Sequence, residues 1–240
     1  MQQTNIVNLV IMATLAGLAM PTGALLAKLT NIQPKWIEQE LRHGILALGA
    51  GALVSAVALV LVPEGIANIS ILPACICFVA GALAFMALDI YLAKKKTAGS
   101  QLAAMLSDFV PESIALGATA ALGGGTMLLG ILIAVQNLPE GFNAYREMLP
   151  KNKRRGAKLI WLFALMSLLG PIMSLIGFYY MADYLVIMSG IMLFSAGGIL
   201  YSVFQDIAPQ IRMDNHWLPP LGGILGFLVG IVGYMLQAAH

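Results

Sequence analysis

The sequence predicts an all-α polytopic membrane protein of eight transmembrane helices, grouped 3+2+3. Three observations carry that prediction. Of the 240 residues, 60% are hydrophobic and 10% charged, where an ordinary soluble domain has about 25% charged; mean hydropathy is +0.87. Charge-free runs recur at close to the roughly 20 residues that cross a hydrocarbon core. All thirteen Lys and Arg residues fall in alternate connections between those runs. A soluble chain must present a largely polar outside, so a soluble enzyme, a nucleic-acid binder and a disordered chain are excluded. The bilayer is the first expected partner; nucleic acid is not one.

Each span is bounded by charge, Gly or Pro. Residues 5–27 form span 1: the first 27 residues carry no charge, so there is no basic leader region and no removable signal peptide is expected. Spans 2 and 3 cover 43–63 and 70–92. Spans 4 and 5 cover 101–121 and 126–148, separated by the turn Gly123-Gly124-Gly125. Spans 6, 7 and 8 cover 158–180, 184–208 and 218–238. One membrane domain therefore has three segments, 1–93, 101–149 and 158–240. Cys75 and Cys77, two apart on one helix, point to different faces and serve as packing residues, as do the methionines.

The basic residues orient these spans. Lys28, Lys35 and Arg42 lie between spans 1 and 2, and Lys94, Lys95 and Lys96 between 3 and 4. Arg146, Lys151, Lys153, Arg154, Arg155 and Lys158 lie around the connection from 5 to 6, and Arg212 between 7 and 8. The positive-inside rule makes that side cytoplasmic and puts both termini outside, in the cell (plasma) membrane. Trp36, Trp161 and Trp217 sit near the inner ends, as interfacial anchors do. Residues 50–64 (AGALVSAVALVLVPE) align without gaps to 196–210 (AGGILYSVFQDIAPQ), and GALAF (81–85) matches GILGF (223–227). Span 2 runs outward and span 7 inward, so spans 1–3 and 6–8 form an inverted repeat, the arrangement of secondary transporters.

Of the eleven acids, Glu38, Glu40, Glu147, Asp183 and Asp214 lie in connections or at interfaces. Glu64, Asp89, Asp108, Glu112, Glu140 and Asp206 lie at or within spans. A carboxylate in hydrocarbon is costly, so such residues face a polar interior and mark function. Span 4 carries Ser107-Asp108-Phe109-Val110-Pro111-Glu112-Ser113, and span 5 carries Gln136-Asn137-Leu138-Pro139-Glu140-Gly141. The i, i+4 spacing stacks Asp108 over Glu112 and Gln136 over Glu140 on one face of each helix. Pro111 and Pro139 cannot donate to the carbonyls of Ser107 and Val135, which adds free oxygens beside the acids. Three carboxylates, an amide and loose carbonyls with no basic residue in the membrane call for a divalent cation. Oxygen-rich ligation suits weakly held Zn, Fe, Mn or Cd carried as cargo, with no organic cofactor. Asp108, Glu112, Gln136 and Glu140 are the expected ligands. Asn137, Asp206, Asp89 and Glu64 are further candidates: Asp206 and Asp89 for an inner exit path, Glu64 for an outer entrance. His43 and His216 are expected to be solvated on the inner side, and His240 ends the chain.

These motifs resemble those of the ZIP (Zrt/Irt-like) divalent-metal transporters. QNLPEG (136–141) matches that family's span 5 motif. DFVPES (108–113) matches the span 4 motif in skeleton, with Asp108 in place of the usual His and Phe109 in place of the usual Asn. Asp206-Ile207-Ala208-Pro209 resembles the acid and proline that end family span 7. The resemblance implies eight spans with both termini outside, metal movement into the cytoplasm and an elevator motion. In that motion spans 1, 4, 5 and 6 carry metal against 2, 3, 7 and 8, in a homodimer joined through the latter. It also implies that the second metal position of many relatives is missing, since Phe109 cannot ligate and Gly170 stands where a span 6 acid would be. Asp for His makes the remaining site harder and tilts it from Zn towards Fe or Mn. The histidine-rich inner loop of many relatives is replaced by Lys94-Lys95-Lys96. Two alternatives stay open: a transporter of another cation, and a non-transporting metal-sensing relative. No enzyme is expected, since no His lies deeper in a span than His43, the first residue of span 2, and no H-E-x-x-H occurs.

Overall fold

The protein is described here by a computed structural model covering residues 2–30, 35–94, 98–121, 123, 126–148, 153–181, 184–211 and 217–238. Lys95, Lys96, Gly124, Gly125, Lys151, Asp183, Arg212, Asp214, His216 and His240 lie outside the described residues, as do the side chains of Lys35, Trp36, Glu38, Ser107, Glu147, Lys153, Arg154 and Arg155. The described residues are helical, with no strand.

The first helix, α1, is Gln2–Leu29. It is followed by α2, Lys35–Ala56, which runs through a π turn at Val57–Leu61 into Val62–Ile66. Next come α3 (Ile71–Ala93), α4 (Ala98–Ala121) and α5 (Thr126–Glu147). Helix α6 is Lys153–Ser167, broken at Leu168 and resumed as Leu169–Ile176 with a π turn at Gly177–Met181. Helix α7 is Leu185–Ser202, a π turn at Val203–Ile207 and a last turn at Ala208–Ile211. Helix α8 is Pro219–Ala238.

The ends have local causes. Pro219 and Pro220 open α8, where a missing N–H costs nothing. Gly123, at φ 73°, ends α4 in the left-handed conformation that favours glycine, its N–H reaching the Ala120 carbonyl at 3.2 Å. Pro171 has no N–H for the Ser167 carbonyl, and α6 breaks there. At the end of α1, Arg146 Nη2 donates to the Thr30 carbonyl at 2.8 Å, a cation at a helix C-terminus.

Among the described residues six helices are long and apolar enough to cross a membrane: Ile6–Leu29, Gln39–Ile66, Ile71–Leu92, Gly156–Tyr180, Leu185–Ile211 and Pro219–Leu236. The other two, α4 and α5, have 24 and 22 residues, about 33–36 Å at 1.5 Å per residue. They are long enough to span but carry the acids of the two motifs. The apolar surface follows the same pattern: α3 and α8 are the least buried of the six, and their large exposed side chains are Ile, Leu, Val, Met and Tyr. The chain is a multi-pass helical membrane protein.

Glycine sets how the helices pair. A Cβ on Gly23 would strike the Leu138 carbonyl and one on Gly141 the Met20 carbonyl, so α1 and α5 cross backbone to backbone. Gly117 and Gly177 do the same for α4 and α6, against Ser174 and Ile114. Gly51 and Gly226 lock α2 to α8, against Gly223 and Leu48, and Gly81 and Gly197 lock α3 to α7, against Phe194 and Phe78. In all four crossings each glycine meets the carbonyl three residues before its partner glycine. Gly17 and Gly170 join α1 to α6 in similar fashion, with a Cβ 2.7 Å from Ser167 O and 2.8 Å from Ala13 O respectively. Small residues are what allow such approach in lipid. The result is one group α5–α1–α6–α4 and another made of α2–α8 and α3–α7. Where the groups meet, glycines face side chains instead: Gly49 meets Pro139 Cγ at 3.0 Å and Gly233 meets Leu128 Cδ1 at 2.5 Å.

Candidate metal pathway between α4 and α5

Both motifs fall inside helices, and each helix runs on through its proline, Pro111 or Pro139. The decisive contact is between them. Gln136 Nε2 donates a short hydrogen bond to Glu112 Oε2, and both side chains are buried, 3% and 1% exposed. A four-residue connection makes α4 and α5 antiparallel, so one turn back from Glu112 and one turn on from Gln136 brings Asp108 level with Glu140. Asp108 does have Glu140 as a charged neighbour, then Glu112 and Asp206. The four predicted ligands therefore form two rungs, Glu112/Gln136 and Asp108/Glu140, about 6 Å apart at 1.5 Å per residue.

Three oxygens in this arrangement are buried and without a hydrogen-bond partner: Asp108 Oδ1, Glu112 Oε1 and Gln136 Oε1. Buried acceptors are normally paired, so oxygens left open on facing helices are what an arriving cation would use. Among the described residues, no three His, Cys, Asp or Glu side chains converge closely enough to hold a metal ion. The physical reason is visible in the rungs: Gln136 supplies an amide to the first, and like-charged carboxyls separate when nothing positive lies between them.

The other candidates are placed as follows. Asn137 is 1% exposed and turns away from the rungs, its Nδ2 donating to the Ala16 carbonyl on α1 at 2.9 Å. Asp206, exposed on the π turn of α7, neighbours both Asp108 and Asp89. Asp89 on α3 accepts a hydrogen bond from Tyr201 Oη at 3.3 Å. The acids thus continue from the rungs through α7 to the C-terminal end of α3. Glu64 lies on the far side of the rungs, where its Oε2 accepts from Thr119 Oγ1 on α4 at 2.9 Å. Phe109 is 1% exposed, and a Cβ on Gly170 would stand 2.9 Å from its Cζ; the ring fills the space a longer residue 170 would need. His43 Nδ1 bonds the Gln39 carbonyl within its own helix. Trp161 and Trp217 are 77% and 87% exposed.

No family model matches the chain, and no curated protein matches it either. The site is read from its own chemistry. Sequence reasoning missed Tyr201, Thr119 and the pair Arg42 and Asn143, in which Arg42 Nε donates to Asn143 Oδ1 at 3.2 Å. None belongs to a motif, and their partners lie 55 to 112 residues away.

Proposed function

We propose that the protein carries a divalent metal ion of the Zn, Fe, Mn and Cd class across the cell membrane into the cytoplasm. The observation that carries this reading is the set of unpartnered buried oxygens on the two rungs, Asp108 Oδ1, Glu112 Oε1 and Gln136 Oε1. An acceptor in the membrane interior with no donor is destabilising, and the charged neighbours of Asp108 are themselves acids. A cation that enters relieves both costs, and because no rigid cage is preformed it is also able to leave. In this reading metal is substrate. Asp108, Glu112, Gln136 and Glu140 take it, Asp206 and Asp89 lead it inward, and the Phe109–Gly170 contact fills the place of a second ion.

The architecture proposed with this function is eight crossings with both termini outside, α4 and α5 being the two polar ones. Two features support an inverted repeat of α1–α3 and α6–α8. The π turns at Val57–Leu61 and Val203–Ile207 begin at the same point of the two aligned segments. Exchanging the repeats also turns the α2–α8 crossing into α7–α3, and α1–α5 into α6–α4. In that exchange Gly226, not Gly223, takes the place of Gly81, a register three residues from the GALAF/GILGF match. The glycine crossings support an elevator motion, since they join backbones within each group while the boundary is side-chain packing. The exposed apolar faces of α3 and α8 fit a homodimer in the bilayer.

Uptake into proteoliposomes tests the function, with Zn²⁺, Fe²⁺, Mn²⁺ and Cd²⁺ offered singly to wild type, Glu112→Ala and Glu140→Ala. Saturable uptake of at least one metal, reduced at least about a hundredfold in both variants, is expected if each loses a ligand charge in a low-dielectric site. Uptake that survives both substitutions sinks the assignment of the rungs. Metal binding with no uptake of any metal would instead fit a sensor.

A further inference from the structure

The crossing of α3 and α7 leaves a space beside it. The two backbones touch at Gly81 and Gly197, and helices that meet at an angle diverge on either side of the contact. Towards their N-terminal ends the gap becomes a cavity of about 510 Å³, the size of a small-ligand pocket. Cys77 on α3 with Gly190 and Phe194 on α7 form its deep part, and Pro111 and Ile114 on α4 close a third side. A side chain at 190 would enter this space, its Cβ already 3.3 Å from Cys77 Sγ. These five residues are half-buried, whereas Pro73, Val186 and Ile187 at the other end of the cavity are exposed. Leu72 and Ile76 beside them are exposed as well. The mouth thus belongs to the apolar surface of two helices long and apolar enough to cross the membrane.

We propose that one acyl chain of a bilayer phospholipid enters this cavity and lies between the two helix groups, with α3 and α7 on one side and α4 on the other. Chemistry and length both fit. Every described lining residue is Ile, Val, Phe, Pro, Cys or Gly, so a charged solute would find no polar partner. An apolar cavity of this kind stays dry and takes apolar guests. Left empty, its walls would forfeit dispersion contacts, and the bilayer supplies hydrocarbon at the mouth. From Val186 to Phe194 is eight residues, about 12 Å of helix, against about 15 Å for half of a hydrocarbon core. A chain from the leaflet in which α3 and α7 begin therefore fills the cavity while its headgroup stays at the surface. There it lies against Pro111, next to Glu112 in the sequence. The site goes beyond the transport reading and does not depend on it.

Photo-crosslinking tests it, with the full-length protein in phosphatidylcholine vesicles doped with the same lipid carrying a mid-chain diazirine. Irradiation should place label on Ile114, half-buried on α4, as well as on exposed residues such as Ile224 on α8. Gly190→Leu fills the cavity and Ile187→Trp its mouth. Label on Ile114 should fall at least about fivefold in each, because close-packed space admits no second occupant, while label on Ile224 stands. Ile187 is exposed, so its variant carries the test where Gly190→Leu does not fold. Absence of label from Ile114 in the parent overturns the site, as does label on Ile114 that both variants leave unchanged. Fast reaction of Ile114→Cys with an impermeant maleimide, in a Cys75→Ser and Cys77→Ser background, would mean that water fills the cavity. Label on Ile114 that appears only on dilution in excess lipid would mean that a second copy of the chain fills it. Either result also overturns the proposal. The labelling needs no flux, so a protein that moves no metal refutes the transport reading alone.

Discussion

At the scale of single residues, the contact between Phe109 and Gly170 separates the site from its surroundings. A methyl at 170 would stand 2.9 Å from Phe109 Cζ and 2.8 Å from the Ala13 carbonyl oxygen. The ring can yield and the backbone cannot. Gly170→Ala should therefore destabilise the protein by about 1–3 kcal/mol through overpacking. Phe109→Ala, which empties a fully buried position, should cost about 3–5 kcal/mol. The double variant should lose less than the sum of the two, because the opened space accepts some of the new methyl. Thermal melting of the three variants in detergent checks this, and strict additivity would mean the two residues do not share the space. The rungs themselves were legible in the sequence, because i, i+4 stacking depends only on helical geometry. Their pairing was not. Neither motif says which residue of the other helix it faces; in the structure Glu112 faces Gln136, one turn from Glu140. No intrahelical pattern fixes an offset between two helices.

At the scale of helices, glycines of two kinds predict two kinds of damage. Gly141 lies against the Met20 backbone, inside one group, while Gly49 lies 3.0 Å from Pro139 Cγ across the boundary. Gly141→Ala must push a pair of backbones apart and should cost about 1–3 kcal/mol or more, lowering the melting temperature. Gly49→Ala presses on one ring, so its melting temperature should stay near wild type while uptake slows. Equal losses of stability in both variants would argue against the division into two groups. Helix ends were legible to within a few residues because charges, Gly123 and the prolines mark them. The largest departures are the extension of α2 back to Lys35 and of α6 back to Lys153; basic side chains reach polar surroundings from a helix as readily as from a loop. The π turns left no trace in composition, since Val57–Leu61 reads as an ordinary apolar stretch and a wide turn depends on what the helix packs against.

At the scale of the whole molecule, neighbouring carboxyls run from buried Glu112 by way of Asp108 to the exposed Asp206 and on to Asp89. Composition and the alternation of basic connections made the membrane class legible. The grouping of helices was not, because it depends on which glycines meet. The interior acids have an electrical consequence. On the proposed reading the empty rungs cross the membrane without a counter-ion, and whatever fraction of their carboxyls is ionised travels as fixed negative charge. Each such charge moved through the full membrane potential is worth about 2.3 kcal/mol per 100 mV. An inside-negative voltage would then speed the outward return of the empty carrier, and metal uptake should steepen with voltage even at saturating metal. Currents from vesicles clamped with a potassium gradient would reveal this, and uptake indifferent to voltage would mean the rungs travel neutral. The transporter would then be its own voltmeter, reading the cell's energy state through three acids.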